Sequence, residues 1–135
     1  MTPEKLISVA VAAMGNAYTP YSGFKVGAAL LCSDGTVYGG CNVENAAYGP
    51  TNCAERTAVF KAVSEGKREF TAIAICGGKD GNITDFCPPC GVCRQVLREF
   101  CKDDFTIYLV GPDGAYKTVT LAELLPFGFG GQQLK

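Results

Sequence analysis

The 135-residue chain carries 12 Lys and Arg against 13 Asp and Glu, a net charge of −1, with 47% hydrophobic and 19% charged residues. The length suits a single domain over residues 1–135, the composition excludes a disordered chain, and the near-zero charge gives no broad attraction to nucleic acid. No apolar run approaches the roughly 20 residues that cross a bilayer, and Met1-Thr2-Pro3-Glu4-Lys5 lacks the basic-then-apolar order of a signal peptide, so no membrane partner and a cytoplasmic location are expected.

Thr2 and Pro3 cap and open a first predicted helix, on which Leu6, Val9, Ala10, Ala13 and Met14 recur at helical spacing. A loop containing Tyr21-Ser22-Gly23-Phe24 follows. Val26–Cys32 and Val37–Asn42 are apolar runs around Ser33-Asp34-Gly35-Thr36, the pattern of a hairpin. Asn42–Asn52 is a polar loop. A helix is expected over Cys53–Glu65, burying Ala54, Ala58, Phe60, Ala62 and Val63, with Gly66 as its stop. Thr71–Cys76 is a continuous apolar run suited to a central strand, and Gly77–Pro89 reads as loop. The next helix, Cys90–Phe100, offers Val92, Val96, Leu97 and Phe100 to the core. Strands over Thr106–Val110 and Tyr116–Val119 flank a turn at Gly111-Pro112-Asp113-Gly114. Thr120 and Glu123 form a capping box before a short last helix that Pro126 ends. The tail, Phe127-Gly128-Phe129-Gly130-Gly131, is flexible in composition yet carries two aromatics. The order α-β-β-α-β-α-β-β-α predicts an α/β fold: a single-domain, three-layer α-β-α sandwich around a central mixed five-stranded sheet.

The chain has eight cysteines and no histidine. A Ser-His-Asp or Cys-His catalyst is therefore excluded, and any zinc site must be built from sulfur, carboxylate and water. Without a secretory leader, reduced thiols fit better than a disulfide framework. Cys90 and Cys93, three apart at a helix start, would share one face of a turn, and Cys53 opens another helix. If the two starts meet, their free N–H groups and positive dipole ends stabilise thiolates. Three thiolates leave a fourth zinc position for water, the arrangement of a catalytic site, with Glu55 as proton shuttle. Zinc with three thiolates has an excess negative charge, and Arg56 and Arg94, each beside a ligand, are candidates to offset it. Cys87 has the same spacing from Cys90. A structural site with Cys87 as fourth ligand, in a zinc-stabilised interaction module without activity, is the competing reading. Cys32, Cys41, Cys76 and Cys101 read as small buried hydrophobes. Asn42 and Glu44 fit either a substrate grip or turn residues that bond their own backbone. Phe24 fits either core or ligand stacking, and Tyr48 and Phe129 would ordinarily pack or meet a partner.

Cys53-Ala54-Glu55 followed by Pro89-Cys90-Gly91-Val92-Cys93 resembles the signature of zinc-dependent nucleoside deaminases, in the version with cysteine where relatives carry histidine. The likeness to the small homotetrameric cytidine deaminases runs nearly end to end, through Tyr21–Ala29, Gly40–Tyr48, Asn52–Ala58, Pro89–Gln95 and Glu123–Pro126 before Phe129. The resemblance implies hydrolytic deamination of cytidine and 2′-deoxycytidine by a zinc-activated water, with one zinc per chain on Cys53, Cys90 and Cys93 and Glu55 as proton shuttle. It implies that Asn42 and Glu44 grip the ribose hydroxyls, Phe24 stacks on the pyrimidine and the Ala54 main chain bonds the base. Ala46 and Tyr48 would join the substrate contacts, and Arg56 would offset ligand charge. Tyr48 and Phe129 would reach sites completed by neighbouring subunits of a homotetramer, although Phe127 offers a second ring. Deamination of a related cytosine nucleoside such as blasticidin S is the alternative reaction.

Overall fold

The structure, a computed structural model, describes residues 1–135. Helix α1 (Pro3–Met14) begins as its cap dictates: the Lys5 N–H donates to the Thr2 hydroxyl at 3.2 Å, and Pro3 sits where no N–H is needed. Leu6, Ala10 and Met14, each four apart, are its buried residues. Strands β1 (Phe24–Cys32) and β2 (Val37–Cys41) form the expected hairpin, in register from Leu31 opposite Val37 to Gly27 opposite Cys41. Then come α2 (Ala54–Ser64), β3 (Phe70–Lys79), α3 (Gly91–Phe100), β4 (Thr106–Val110), β5 (Tyr116–Thr120) and α4 (Leu121–Leu124), the last opened by the Thr120–Glu123 capping box.

The five strands lie in the order β2-β1-β3-β4-β5. β3 is antiparallel to β1 and parallel to β4, so the sheet is mixed. Its two faces differ in side-chain size because neighbouring residues point opposite ways. Ala29, Ala72, Ala74 and Cys76 meet α1, whose Leu6, Ala10 and Met14 complete that layer. Leu30, Ile73, Ile75 and Ile107 face the other way and pack with Ala58, Val59 and Ala62 of α2 and Leu97 of α3. Each of these buried branched residues contributes roughly 1.5–3 kcal/mol of transfer free energy. The three-layer sandwich is thus the one expected. No helix is long and apolar enough to cross a membrane.

Several details depart from the sequence reading. Phe24 is not in a loop: it is the first residue of β1, paired with Lys79. β3 runs on through Gly77 and Gly78 to Lys79, because Val26 and Lys25 of β1 extend the ladder opposite them. Phe60 is 48% and Val92 57% exposed, so neither joins the core. The buried stripe of α2 is Ala54, Glu55, Ala58, Val59 and Ala62, and Phe60 lies off it. Cys41 is half-buried, whereas Cys32, Cys76 and Cys101 are buried as expected. The tail is not shapeless: Gly131–Leu134 makes a 3-10 turn, and the Gln95 side-chain amide donates to the Phe129 carbonyl at 2.8 Å.

α2 precedes β3 and α3 follows it. A chain that runs down α2, up β3 and down α3 brings the two helix starts to the same end of the central strand β3, where the candidate site lies.

Candidate metal centre and active site

Cys53 is the N-cap of α2 and Cys90 the N-cap of α3, both with extended backbone and no side-chain cap bond. Their thiols are therefore free to turn away from their own helices. Cys93, buried in the first turn of α3, completes the group. Cys53 Sγ lies 3.8 Å from Cys90 Sγ, which lies 3.5 Å from Cys93 Sγ, and all three sulfurs fall within 4.8 Å of one another. The Arg56 guanidinium donates to Cys53 Sγ through Nη2 at 3.2 Å. In the metal-free protein, hydrogen bonding from the Cys93 thiol and then from Arg56 lowers the Cys53 thiol to about 5. The same bond to Cys53, together with burial, raises Cys93.

Glu55 is 4% exposed, and its Oε1 has no hydrogen-bond partner. Burial pushes its carboxyl up to about 7, against the favourable pull of its own backbone N–H. A buried polar atom without a partner is costly, and one beside a recess marks a place where a ligand is to supply the missing bond. That recess, ≈ 190 Å³, is lined among others by Val26, Asn42, Asn52, Cys53, Ala54, Glu55, Cys87 and Cys90. A second recess of ≈ 400 Å³ holds Glu44, Tyr48, Tyr21, Ser22 and Asn45, and Thr51 lines both.

The fold therefore brings Cys53, Cys90, Cys93, Glu55, Ala54, Asn42 and Arg56 together, with Glu44 and Tyr48 in the adjoining recess. Asn42 does not bond its own backbone. Its Oδ1 accepts the Val26 N–H at 2.9 Å and its Nδ2 donates to the Phe24 carbonyl at 2.8 Å, which ties it to the start of β1. Phe24, 42% exposed, is held at that strand start. Ala46 is exposed and lines neither recess; nor does Phe129, whose residue is 56% exposed. Arg94 does not face sulfur: Nε donates to the Pro89 carbonyl and Nη1 to the Leu124 carbonyl, each at 2.7 Å, so it braces the loop before α3 against α4. Thr57 escaped the sequence reading. Its hydroxyl reaches the Cys41 carbonyl at 2.9 Å and the Cys53 carbonyl at 3.2 Å, and it receives the Asn52 side-chain amide at 3.2 Å. A threonine four residues after a candidate N-cap is the signal that was there to find.

The model for the family described as the cytidine and deoxycytidylate deaminase zinc-binding region matches residues 1–109. The chain belongs to that family. It is similar to a cytidine deaminase of Sporosarcina psychrophila, 51% identical over 134 residues, covering 99% of this chain and 96% of the relative. Among solved structures it resembles the cytidine deaminase of Burkholderia pseudomallei, with a TM-score of 0.89 and 48% identity over 96% of this chain and 100% of the other. It also resembles that of Mycobacterium tuberculosis, with a TM-score of 0.82 and 41% identity over 96% and 98% of the two chains.

The family's zinc fits the donors. A tetrahedral ion with Zn–S bonds of about 2.3 Å separates its sulfurs by about 3.8 Å, close to the 3.8 and 3.5 Å found here. Three thiolates with a neighbouring arginine donor suit one such ion. The four-sulfur reading is not supported, because Cys87 is outside the cluster although it borders the same recess. Burial raises its thiol to about 12, with the Glu55 charge adding to the effect. Cys87→Ser is accordingly expected to retain one zinc per chain by elemental analysis. Loss of the metal in that variant would place Cys87 among the ligands.

Proposed function

We propose that the chain hydrolyses cytidine and 2′-deoxycytidine to uridine and 2′-deoxyuridine with release of ammonia. The observation that carries the reading is a buried Glu55 with an unpaired Oε1 beside three converging sulfurs. Cys53, Cys90 and Cys93 would hold zinc, which when bound supplies a Lewis acid that eases ionisation of the attacking water. Glu55 accepts a proton from that water as oxygen bonds to C4, and delivers it to N3 of the pyrimidine. It then carries the remaining hydroxyl proton to the amino group, the C4–N bond breaks, ammonia leaves and C4 becomes a carbonyl. A carboxyl raised towards neutrality by burial is suited to both directions of transfer.

The remaining residues orient the nucleoside in this reading. Asn42 and Glu44 hold the ribose hydroxyls: Asn42 keeps one amide hydrogen and one lone pair beyond its bonds to β1. Phe24 stacks on the base, the Ala54 main chain bonds it, and Ala46 contacts the nucleoside although it lines neither recess of the single chain. Tyr48 and Phe129 come from neighbouring subunits of a homotetramer. Their exposures of 75% and 56% are what leaves them available to a partner, and a monomer by analytical ultracentrifugation would refute that assembly. Converging thiols that must stay reduced suit the cytoplasm, which cell fractionation tests.

Arg56 offsets the charge of the ligands. Arg56→Ala is expected to weaken zinc affinity by about 10–100-fold, measured by competition with a chromogenic chelator; unchanged affinity would reduce Arg56 to an ordinary first-turn residue. The direct test of the function is the ultraviolet change of cytidine mixed with zinc-loaded protein, with ammonia measured in parallel. No conversion by protein carrying one zinc per chain would overturn the assignment.

A further inference from the structure

The carboxylate of Glu44 is held from one direction by one turn of chain. The Tyr21 and Ser22 N–H groups donate to Oε1 at 3.0 and 3.1 Å, and the Ser22 hydroxyl donates to Oε2. The same Ser22 oxygen accepts the Phe24 N–H at 2.9 Å. Because the amide can only donate, the single hydroxyl proton has one direction left, towards Glu44. One hydroxyl therefore links the residue read as ring-stacking to the residue read as ribose-binding.

The turn that presents Ser22 is fixed independently of Glu44. The Gly23 N–H closes it on the Thr19 carbonyl at 3.0 Å, with Gly23 at φ +68, a conformation that favours glycine. Lys79 Nζ donates to the Ser22 carbonyl at 2.5 Å, and the Asp80 N–H donates to the Gly23 carbonyl at 2.7 Å. On the other side, the backbone of Glu44 is tied to the same segment: the Tyr18 N–H donates to the Asn42 carbonyl at 3.0 Å and the Glu44 N–H to the Tyr18 carbonyl at 2.9 Å. Only the Glu44 side chain is left to be oriented. Two donors saturate Oε1, while Oε2, with one hydroxyl bond, keeps a lone pair for a further donor. The Ser22 hydroxyl foremost among these bonds holds the carboxyl below its ordinary range, so it is an ionised acceptor.

We propose that Ser22 is a positioning residue for nucleoside binding, its hydroxyl aiming the free lone pair of Glu44 Oε2 at a sugar hydroxyl while fixing the Phe24 backbone. The inference rests on the reading of Glu44 as the ribose grip. Loss of this hydroxyl leaves Glu44 charged and bonded through Oε1 but free to swing Oε2. The cost falls on binding the sugar, which is made in the ground state and the transition state alike.

Steady-state kinetics of the zinc-loaded full chain with cytidine test this. Ser22→Ala is expected to raise KM about tenfold with kcat within about twofold, and Ser22→Thr, which restores the hydroxyl, to return KM to within about twofold of native. Ser22→Cys keeps the size of the side chain with a weaker donor, and its KM should fall between those of Ser22→Ala and the native chain even if Ser22→Ala folds poorly. In a Glu44→Ala background, Ser22→Ala should raise KM by clearly less than it does in the native chain, the remainder being what passes through the Phe24 backbone. An unchanged KM in Ser22→Ala or Ser22→Cys overturns the inference. So does a loss confined to kcat, or a full additive effect in the Glu44→Ala background. If Glu44→Ala alone leaves KM at the native value, the ribose-grip reading is what has failed.

Discussion

Glu55→Gln is expected to lower kcat for cytidine by roughly 10³–10⁴-fold while leaving zinc at one per chain. The factor is the upper part of what general acid–base catalysis contributes, because in the proposed sequence this side chain moves both protons. Glutamine has the shape of glutamate and can still accept a hydrogen bond, but it cannot take up and return a proton near neutral pH. Zinc should stay because the carboxylate is not one of the three converging donors. Folding should not suffer either. Burial raises the Glu55 carboxyl from its ordinary 4.5 to about 7 in the metal-free chain, so the unfolded state ionises first. Ionisation therefore removes stability as pH rises from about 4.5 towards 7, and the amide removes that loss. The melting temperature of the metal-free variant at pH 8 is expected to equal or exceed the native value. Rate assays, elemental analysis and thermal melts decide the matter together: a near-native rate would take Glu55 out of the mechanism, and loss of zinc would make it a ligand.

The sequence was most informative where one residue type has one physical use. Pro89 before Cys90, and Cys53 before an apolar helical stripe, placed two of the three candidate metal ligands at helix starts, and the structure finds both as N-caps. Arg56 is the instructive case. A cation in the first turn opposes the helix dipole, and the conflict is resolved by the thiolate it contacts at 3.2 Å. The same adjacency argument failed for Arg94, because a long side chain near a ligand can reach carbonyls from another element, here Leu124, thirty residues on. Phe24, Gly77 and Gly78 were read as loop because glycine is depleted in strands. Their pairing is set by long-range partners: β1 supplies the ladder for β3, and on the other side of β1 the side-chain amide of Asn42 prolongs the β2 pairing. Phe60 and Val92 were counted as core from hydrophobicity alone, which cannot distinguish a core-facing position from one left exposed on the monomer. The Ser22–Glu44 contact joins residues 22 apart, and no local pattern announces it.

Gly40→Ala should damage stability and activity together, because Gly40 is where β2 meets the start of α2. It pairs with Ala28 in the sheet and is buried. A Cβ there would lie 2.5 Å from the Ala54 carbonyl oxygen and 2.6 Å from the Ala58 N, both backbone atoms of α2. No rotamer change relieves such contacts, so the helix start must lift by about 1 Å to restore an ordinary separation. Overpacking of this kind costs about 2–3 kcal/mol, or roughly 10 °C in Tm for a chain of this size. The displaced turn also carries Cys53 and Glu55, and a 1 Å error at a reacting centre is worth about a hundredfold in rate. Gly39→Ala is the control on the neighbouring residue. Its new Cβ would meet the Ala13 side chain at 3.4 Å, an ordinary contact, and both Tm and rate should stay close to native. If Gly40→Ala melts and turns over like Gly39→Ala, α2 has slack against the sheet. The close packing of Gly40 would then not be what holds Cys53 and Glu55 at their distances from Cys90 and Cys93.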